Sequence, residues 1–301
     1  MRLGRGEFWA LAGALFYSLS NVFTGVAVRG AELNYLVGVS LRVLPMLVLS
    51  IVAIWLRKDR QSNSISLLSH GRVLATLVAS GLLTYTIGSP LLFAALRYGG
   101  VLVSSPITGT QVLWSAIFAA LLLRQPFNRR MALGMLASLV GVVLLTVGRS
   151  GSLDLPPHWW LAVPYATGSA FSWALSGVLM SYAMQRGVDR FRALNISVLT
   201  GAITLNGYLL LTGDIGLYLS TPWNIMASAA LAGVLGMVGL FSLTSALALT
   251  TVASASTLNS LQVGLAPLIA WLFLGEGMNQ LMALGILLIM GGVIVVQVSK
   301  G

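Results

Sequence analysis

The sequence predicts an all-α membrane protein: ten transmembrane helices arranged as two inverted five-helix repeats, residues 1–150 and 151–301. Three observations carry this. First, 57% of the 301 residues are apolar and 8% are charged, a balance that a water-soluble domain reaches only by exposing large oily patches. Second, residues 95–148 slide onto 246–299 without a gap at an offset of 151, and eighteen of the fifty-four pairs are identical. The matched pairs include Gln111 with Gln262, Asn128 with Asn279, Met131 to Gly134 with Met282 to Gly285, and Gly141 with Gly292. Composition alone gives far fewer, so the chain is a duplication. The echo persists at the start of each half, where Tyr17 to Val22 resembles Trp173 to Val178 at an offset of 156. Third, the basic residues alternate between the two sides of such a bundle.

Ten apolar stretches have the length of bilayer-crossing helices, about 18 to 25 residues. They lie near 8–28, 35–55, 73–95, 101–122, 130–147, 159–184, 191–211, 223–247, 252–274 and 278–298. The first follows Arg2 and Arg5. It reads as a span and not as a signal peptide, because it belongs to the repeat and lacks a small-x-small cleavage site. Pro45, Pro90, Pro106, Pro164 and Pro267 fall inside spans, where a packed bundle absorbs them better than a lone helix does. Trp9, Trp55, Trp159, Trp160 and Trp223 sit at span ends and read as interfacial anchors. Only the connections 57–71 and 148–158 exceed a tight turn. Cysteine is absent, which excludes disulfide and thiolate chemistry.

The net charge of +10 does not point to nucleic acid once its placement is read. With the N-terminus inside, thirteen Lys and Arg fall on inner connections, among them Arg57, Lys58, Arg72, Arg124, Arg129, Arg130, Arg186, Arg190 and Arg192. Only Arg29, Arg97 and Arg149 fall outside. That asymmetry places both termini in the cytoplasm. Because each half has five spans, the second half enters the membrane from the opposite side. Two unequal, inverted halves can exchange conformations around one fixed site, the geometry of alternating access.

Within this frame the polar residues pick out a central cavity. Ser104, Thr108, Gln111 and Ser115 are spaced four, three and four residues apart, so they share one helical face that is costly to turn toward lipid. The equivalent positions of the ninth span are Ala255, Asn259, Gln262 and Ala266. Each half thus keeps an amide at the same depth, and paired carboxamides supply donors and acceptors to a zwitterion without a fixed charge. Tyr17 and Trp173 are repeat-equivalent, and each precedes a serine, Ser20 and Ser176, by three residues. Tyr85 and Trp114 lie at mid-membrane depth and extend this ring surface. Helix-to-helix packing remains the alternative for all of these. The Gly-Ser-Pro run at Gly88 and Pro90, Pro106, Gly236, Gly239 and Pro267 mark candidate gating or hinge points. The Gly134/Gly141 and Gly285/Gly292 pairs point to close packing of peripheral helices.

Every acidic residue lies at a span end or in a loop. A proton-driven carrier usually holds an ionisable group at mid-depth, so a facilitator is expected. Arg42 is the only charge deep within a span. Snorkelling or bonding to carbonyls is the first reading for it, and attraction of a carboxylate is the second. No G-x-S-x-G, no H-E-x-x-H and no paired Asp occurs, so neither an enzyme, nor a metal, nor a cofactor is expected.

The second half reads Ala246-Leu247, then Thr251 to Thr257, then Leu265-Ala266-Pro267, Leu274-Gly275-Glu276, Leu284-Gly285 and Gly291-Gly292. This resembles the EamA repeat of the drug/metabolite transporter superfamily, and Arg42 matches an Arg usual there in the second span. Ala116 and Arg124-Gln125 depart from the pattern where the second half has Pro267 and Gly275-Glu276. Within the superfamily the chain looks most like the YddG-type exporters of aromatic amino acids. That resemblance implies export of a small amphiphilic substrate, such as Phe, Trp, Tyr or Met, from a bacterial-type inner membrane. Other superfamily substrates, drugs among them, remain the alternative, as do a proton-coupled exporter, a channel and a lipid flippase. The bilayer is the only other partner expected, and the chain is read as a monomer.

Overall fold

The computed structural model describes residues 4–29, 34–56, 71–125, 128–150, 158–274 and 279–298. Every regular element among them is helical. The first half comprises α1 Arg5–Arg29, α2 Tyr35–Trp55, α3 Gly71–Gly81, a π turn Leu82–Gly88, α4 Ser89–Gly109, α5 Gln111–Leu123 and α6 Arg129–Ser150. The second comprises a 3-10 turn Trp159–Leu161, α7 Ala162–Gln185, α8 Arg190–Leu211, a 3-10 turn Asp214–Gly216, α9 Leu217–Ser220, α10 Trp223–Leu249, α11 Val252–Asn259, α12 Leu261–Leu274 and α13 Gln280–Val298.

Among the described residues, five helices are long and apolar enough to cross a membrane: Arg5–Ala27, Tyr35–Trp55, Gly71–Tyr98, Arg190–Leu211 and Trp223–Leu249. Ten spans were expected, and for three of the others the helices show a local reason. The fourth and ninth spans are each broken in two, at Thr110 and at Ser260. α7 is long but carries Ser169, Ser172, Ser176 and Ser181, all buried, which lowers its apolarity while serving contacts inside the bundle.

Helix starts follow side-chain capping. Asn34, Asp189 and Thr251 accept backbone N–H groups of Leu36, Phe191 and Ser254 at 2.9, 2.9 and 3.3 Å, each satisfying a donor that the first turn leaves open. α5 ends with Arg124 in the left-handed region at φ 53°. The repeat-equivalent residue is Gly275, which lies outside the described residues together with the rest of the Leu-Gly-Glu turn.

The third span does not stop near 95 as expected. Helical structure runs on through α4, and its partners show how. Ser80, Thr84 and Gly88 bond Ser176, Trp173 and Ser169 in turn, and Tyr98 stacks on Tyr165 at 5.7 Å, so the chain climbs α7 against its direction. Trp114 then meets Phe171 at 5.4 Å, and Ala119 joins a cluster with Val178, so α5 returns along α7. The reversal therefore falls between Tyr98 and Trp114. The π turn has a local reason. Pro90 has no N–H to offer the preceding turn, and Ser89 bonds back five residues to the Thr84 carbonyl.

α6 and α13 form a close seam. A Cβ built on Gly141 would strike the carbonyl of Gly285, and one on Gly292 the carbonyl of Gly134. Small residues thus bring the two backbones together, and the crossed pairing means that these helices run antiparallel. Leu133, Leu136, Val140 and Val143 on α6 and Leu281, Leu284, Leu287 and Met290 on α13 face outward, the apolar surface a lipid-facing helix needs. The largest buried cluster lies elsewhere, where α2, the π turn, α8 and α10 meet around Val39, Val43, Tyr85, Val198 and Met237.

Candidate functional site

The two glutamines stand at matched helix breaks. At the first break, Thr110 donates its N–H and its Oγ1 hydroxyl to the Ile107 carbonyl at 3.1 and 2.6 Å. At the second, Ser260 does the same to the Thr257 carbonyl at 3.2 and 2.6 Å. Each three-residue bond tightens the last turn; Gln111 follows at once as the first residue of α5, and Gln262 follows Leu261 as the second residue of α12. The breaks adjoin one another, since a Cβ at Gly109 would lie 3.5 Å from a methyl of Val263. Both glutamines are half-buried.

α1 supplies the facing wall for one of them. Asn21 Nδ2 donates to Gln262 Oε1 at 3.4 Å, and Ser18 Oγ reaches the Gln262 carbonyl at 3.2 Å. Asn259 is buried beside Gly13, with its Oδ1 lacking a hydrogen-bond partner. Thr108 donates its hydroxyl to the Ser104 carbonyl at 3.0 Å. Ser104 and Ser115 are buried, as an inward-facing stripe requires.

The aromatic residues do not form one continuous wall. Tyr17 packs on Gly239 of α10. Trp173 lies over Gly88 and donates Nε1–H to the Thr84 carbonyl at 3.2 Å, while Ser176 Oγ lies 2.8 Å from Ser80 Oγ and 2.6 Å from Thr84 Oγ1. Trp173 and Ser176 therefore clamp α7 to the π turn, and the Ser176 hydroxyl is fully occupied in that clamp. Trp114 stacks on Phe118 and meets Phe171 edge-on, with centroids 6.3 and 5.4 Å apart. Tyr85 is 4% exposed, packed against Gly201, and its hydroxyl has no partner.

Arg42 does not snorkel. Its Nη2 donates to Ser20 Oγ at 3.0 Å, and Ser20 in turn donates to the Ala232 carbonyl at 2.7 Å. The guanidinium rests on Gly236, and Tyr17 and Tyr85 pack in the cluster of the adjoining Val43 and Met237. It turns inward because α10 presents glycines at 233, 236 and 239, a trough that admits the α2 backbone, the guanidinium and the Tyr17 ring. Gly236 and Gly239, expected as hinges, are thus sites of close approach. Gly88 and Pro90 flank the π turn's end, where the backbone departs from the α pattern. Pro106 and Pro267 lie within α4 and α12, but their side chains are outside the described set.

Sequence reading missed Asn21, although it stands four residues after Tyr17 on the same face of α1. Ser80 and Thr84 carried a similar signal, falling on one face with Gly88. The pairing of Phe118 with Phe171 had none, because it links different helices. Among the described residues no three His, Asp or Glu side chains gather into a metal site.

A helical bundle with apolar outer flanks and a polar interior fits a multi-pass membrane transporter. The EamA-like transporter family model matches residues 4–147 and 160–298, and the chain belongs to that family, within the drug/metabolite transporter superfamily. It is a transporter and not an enzyme. An uncharacterized transporter of Clostridium kluyveri is 25% identical over 299 residues, spanning 97% of this chain and 92% of that one. A solved crystal structure 16% identical in sequence superposes with a TM-score of 0.73 over 98% of this chain and 96% of its own. The fold is therefore a shared one.

Proposed function

We propose that this protein exports aromatic and other apolar amino acids, such as Phe, Trp, Tyr and Met, by alternating access around a central cavity. In this reading ten spans form two inverted repeats, 1–150 and 151–301, in a bacterial-type inner membrane, with both termini cytoplasmic. Tyr17, Ser20, Tyr85, Thr108, Gln111, Trp114, Asn259 and Gln262 line the path, with Trp173 and Ser176 holding its wall. Gly88, Pro90, Pro106 and Pro267 permit the change of shape.

The observation that carries this reading is the matched pair of helix breaks, each opening onto a glutamine at the same place in its repeat. Discontinuous helices at a repeat interface are where inverted-repeat carriers bind substrate. The antiparallel crossing of α6 and α13 supports opposite threading of the halves. Placement of every acidic residue at a span end or in a loop favours a facilitator over a proton-coupled pump.

Counterflow of labelled Phe, Trp or Met into liposomes holding the pure protein tests the proposal. Saturable uptake, unaffected by a pH gradient, is expected. Uptake no greater than in empty vesicles across a broad amino-acid panel removes the substrate class. Non-saturable flux identifies a channel, and scrambling of labelled lipid identifies a flippase.

A further inference from the structure

Among the described residues no carboxylate pairs with the Arg42 guanidinium, and the groups around it are neutral: Tyr85 and Tyr17 pack in the buried cluster with Val43 and Met237, the sequence neighbours of Arg42 and Gly236. Its Nη2 donates to Ser20 Oγ, a neutral acceptor already donating to the Ala232 carbonyl. Its Nε–H is buried without a partner, as is the Tyr85 hydroxyl. A guanidinium carries five N–H donors. Leaving one unsatisfied in the interior costs on the order of 1–3 kcal/mol or more, and an unpaired buried charge is costlier still. A structural arginine would be matched to carbonyls or to an acid. This one leaves its Nε–H unsatisfied inside the bundle.

We infer that Arg42, with the Tyr85 hydroxyl, is the docking point for the carboxylate of the transported molecule, so that an anionic head group is a condition of recognition. The inference deepens the exporter reading and rests on the same central path. The guanidinium edge presents parallel N–H groups that suit the two oxygens of a carboxylate, and the phenol adds a third donor. A bound anion satisfies the Nε–H and neutralises the charge at once, while a neutral amide or an amine does neither. Asn259 cannot share this contact with a small head group. Seven residues of α1 separate Gly13, beside Asn259, from Ser20, beside Arg42, which is about 10 Å along the helix. The amides of Asn259 and Gln262 therefore serve a different part of the substrate or of its path.

The test uses the purified full-length chain in detergent and in liposomes. Thermal shift is read with phenylalanine, 3-phenylpropionate, phenylalaninamide and phenethylamine, and each is also tried as a competitor of phenylalanine counterflow. The two carboxylates are expected to stabilise the protein and to compete, and the amide and amine to do neither. Arg42→Gln is expected to weaken carboxylate binding by roughly 10- to 100-fold, the range of a charged hydrogen bond, with Arg42→Lys intermediate. Tyr85→Phe removes a hydroxyl that bonds nothing in the protein, so it keeps the fold, and it is expected to weaken carboxylate binding by roughly 3- to 10-fold. Equal binding of phenylalanine and its amide, unchanged by Arg42→Gln and Tyr85→Phe, overturns the inference while leaving the exporter reading intact. Stabilisation by anionic phospholipid but by none of the carboxylates, lost in Arg42→Gln, overturns it in favour of a lipid phosphate. Carboxylate-specific stabilisation lost in the variants, without phenylalanine counterflow, upholds it and sets the exporter reading aside.

Discussion

Asn128 and Asn279 make the same bond in the two halves of the chain: each Oδ1 accepts the N–H three residues on, from Met131 at 2.8 Å and from Met282 at 2.9 Å. They open α6 and α13, the helices of the glycine seam. Replacing either by Ala should lower the thermal unfolding midpoint of the purified protein, each by the equivalent of about 1 kcal/mol. A variant without effect would show that another group holds the first turn.

The seam itself is tested by neighbouring glycines. A Cβ on Gly292 meets the backbone and side chain of α6, whereas one on Gly291 meets nothing within 4 Å. Gly292→Leu should destabilise the protein by about 1–3 kcal/mol through overpacking, and Gly291→Ala should leave it unchanged. Equal unfolding midpoints for the pair would contradict the close approach.

The clamp around the π turn separates holding from binding. Ser176→Ala removes the hydroxyl that joins Ser80 to Thr84, so a stability loss of about 1–3 kcal/mol is expected from the groups left behind. KM for the transported substrate should stay within about twofold, because that hydroxyl is already bonded inside the protein. A large KM change with unaltered stability would return Ser176 to the pocket lining.

Gln262→Ala tests the lining directly. Its amide faces Asn21 across a 3.4 Å gap, longer than a well-made bond, and the pair is free to re-form around a guest. KM is expected to rise by roughly 3- to 10-fold, with folding retained. Unchanged counterflow kinetics would remove the amide from the path.

Arg124 stands in the left-handed region where its repeat-equivalent residue is a glycine. Since an L side chain there costs about 1–2 kcal/mol, Arg124→Gly should raise the unfolding midpoint. A fall would mean that the Arg side chain makes a contact worth more than the strain.

Local chemistry was legible in the sequence where the repeat doubled the signal. Gln111 and Gln262 were visible as a pair, and so were the seam glycines, because two copies of one pattern are hard to reach by chance. Pro90 announced a break. It could not announce that Ser89 would bond back five residues, which depends on Trp173 and Ser89 sharing the Thr84 carbonyl. For Arg42 the sequence leaves snorkelling, bonding to carbonyls and attraction of a carboxylate open, because hydropathy gives a depth but no azimuth. What turns it inward is the glycine trough of α10, some 190 positions later in the chain. The fourth span was placed correctly in outline, while the reversal inside α4 arose from partners on α7 that no local pattern encodes.

Gly141 meets Gly285 as Gly292 meets Gly134, so each helix of the α6–α13 seam seats the other at two points seven residues apart. A bulkier residue at either point loads both backbones at once, which ties the packing of one half of the chain to that of the other.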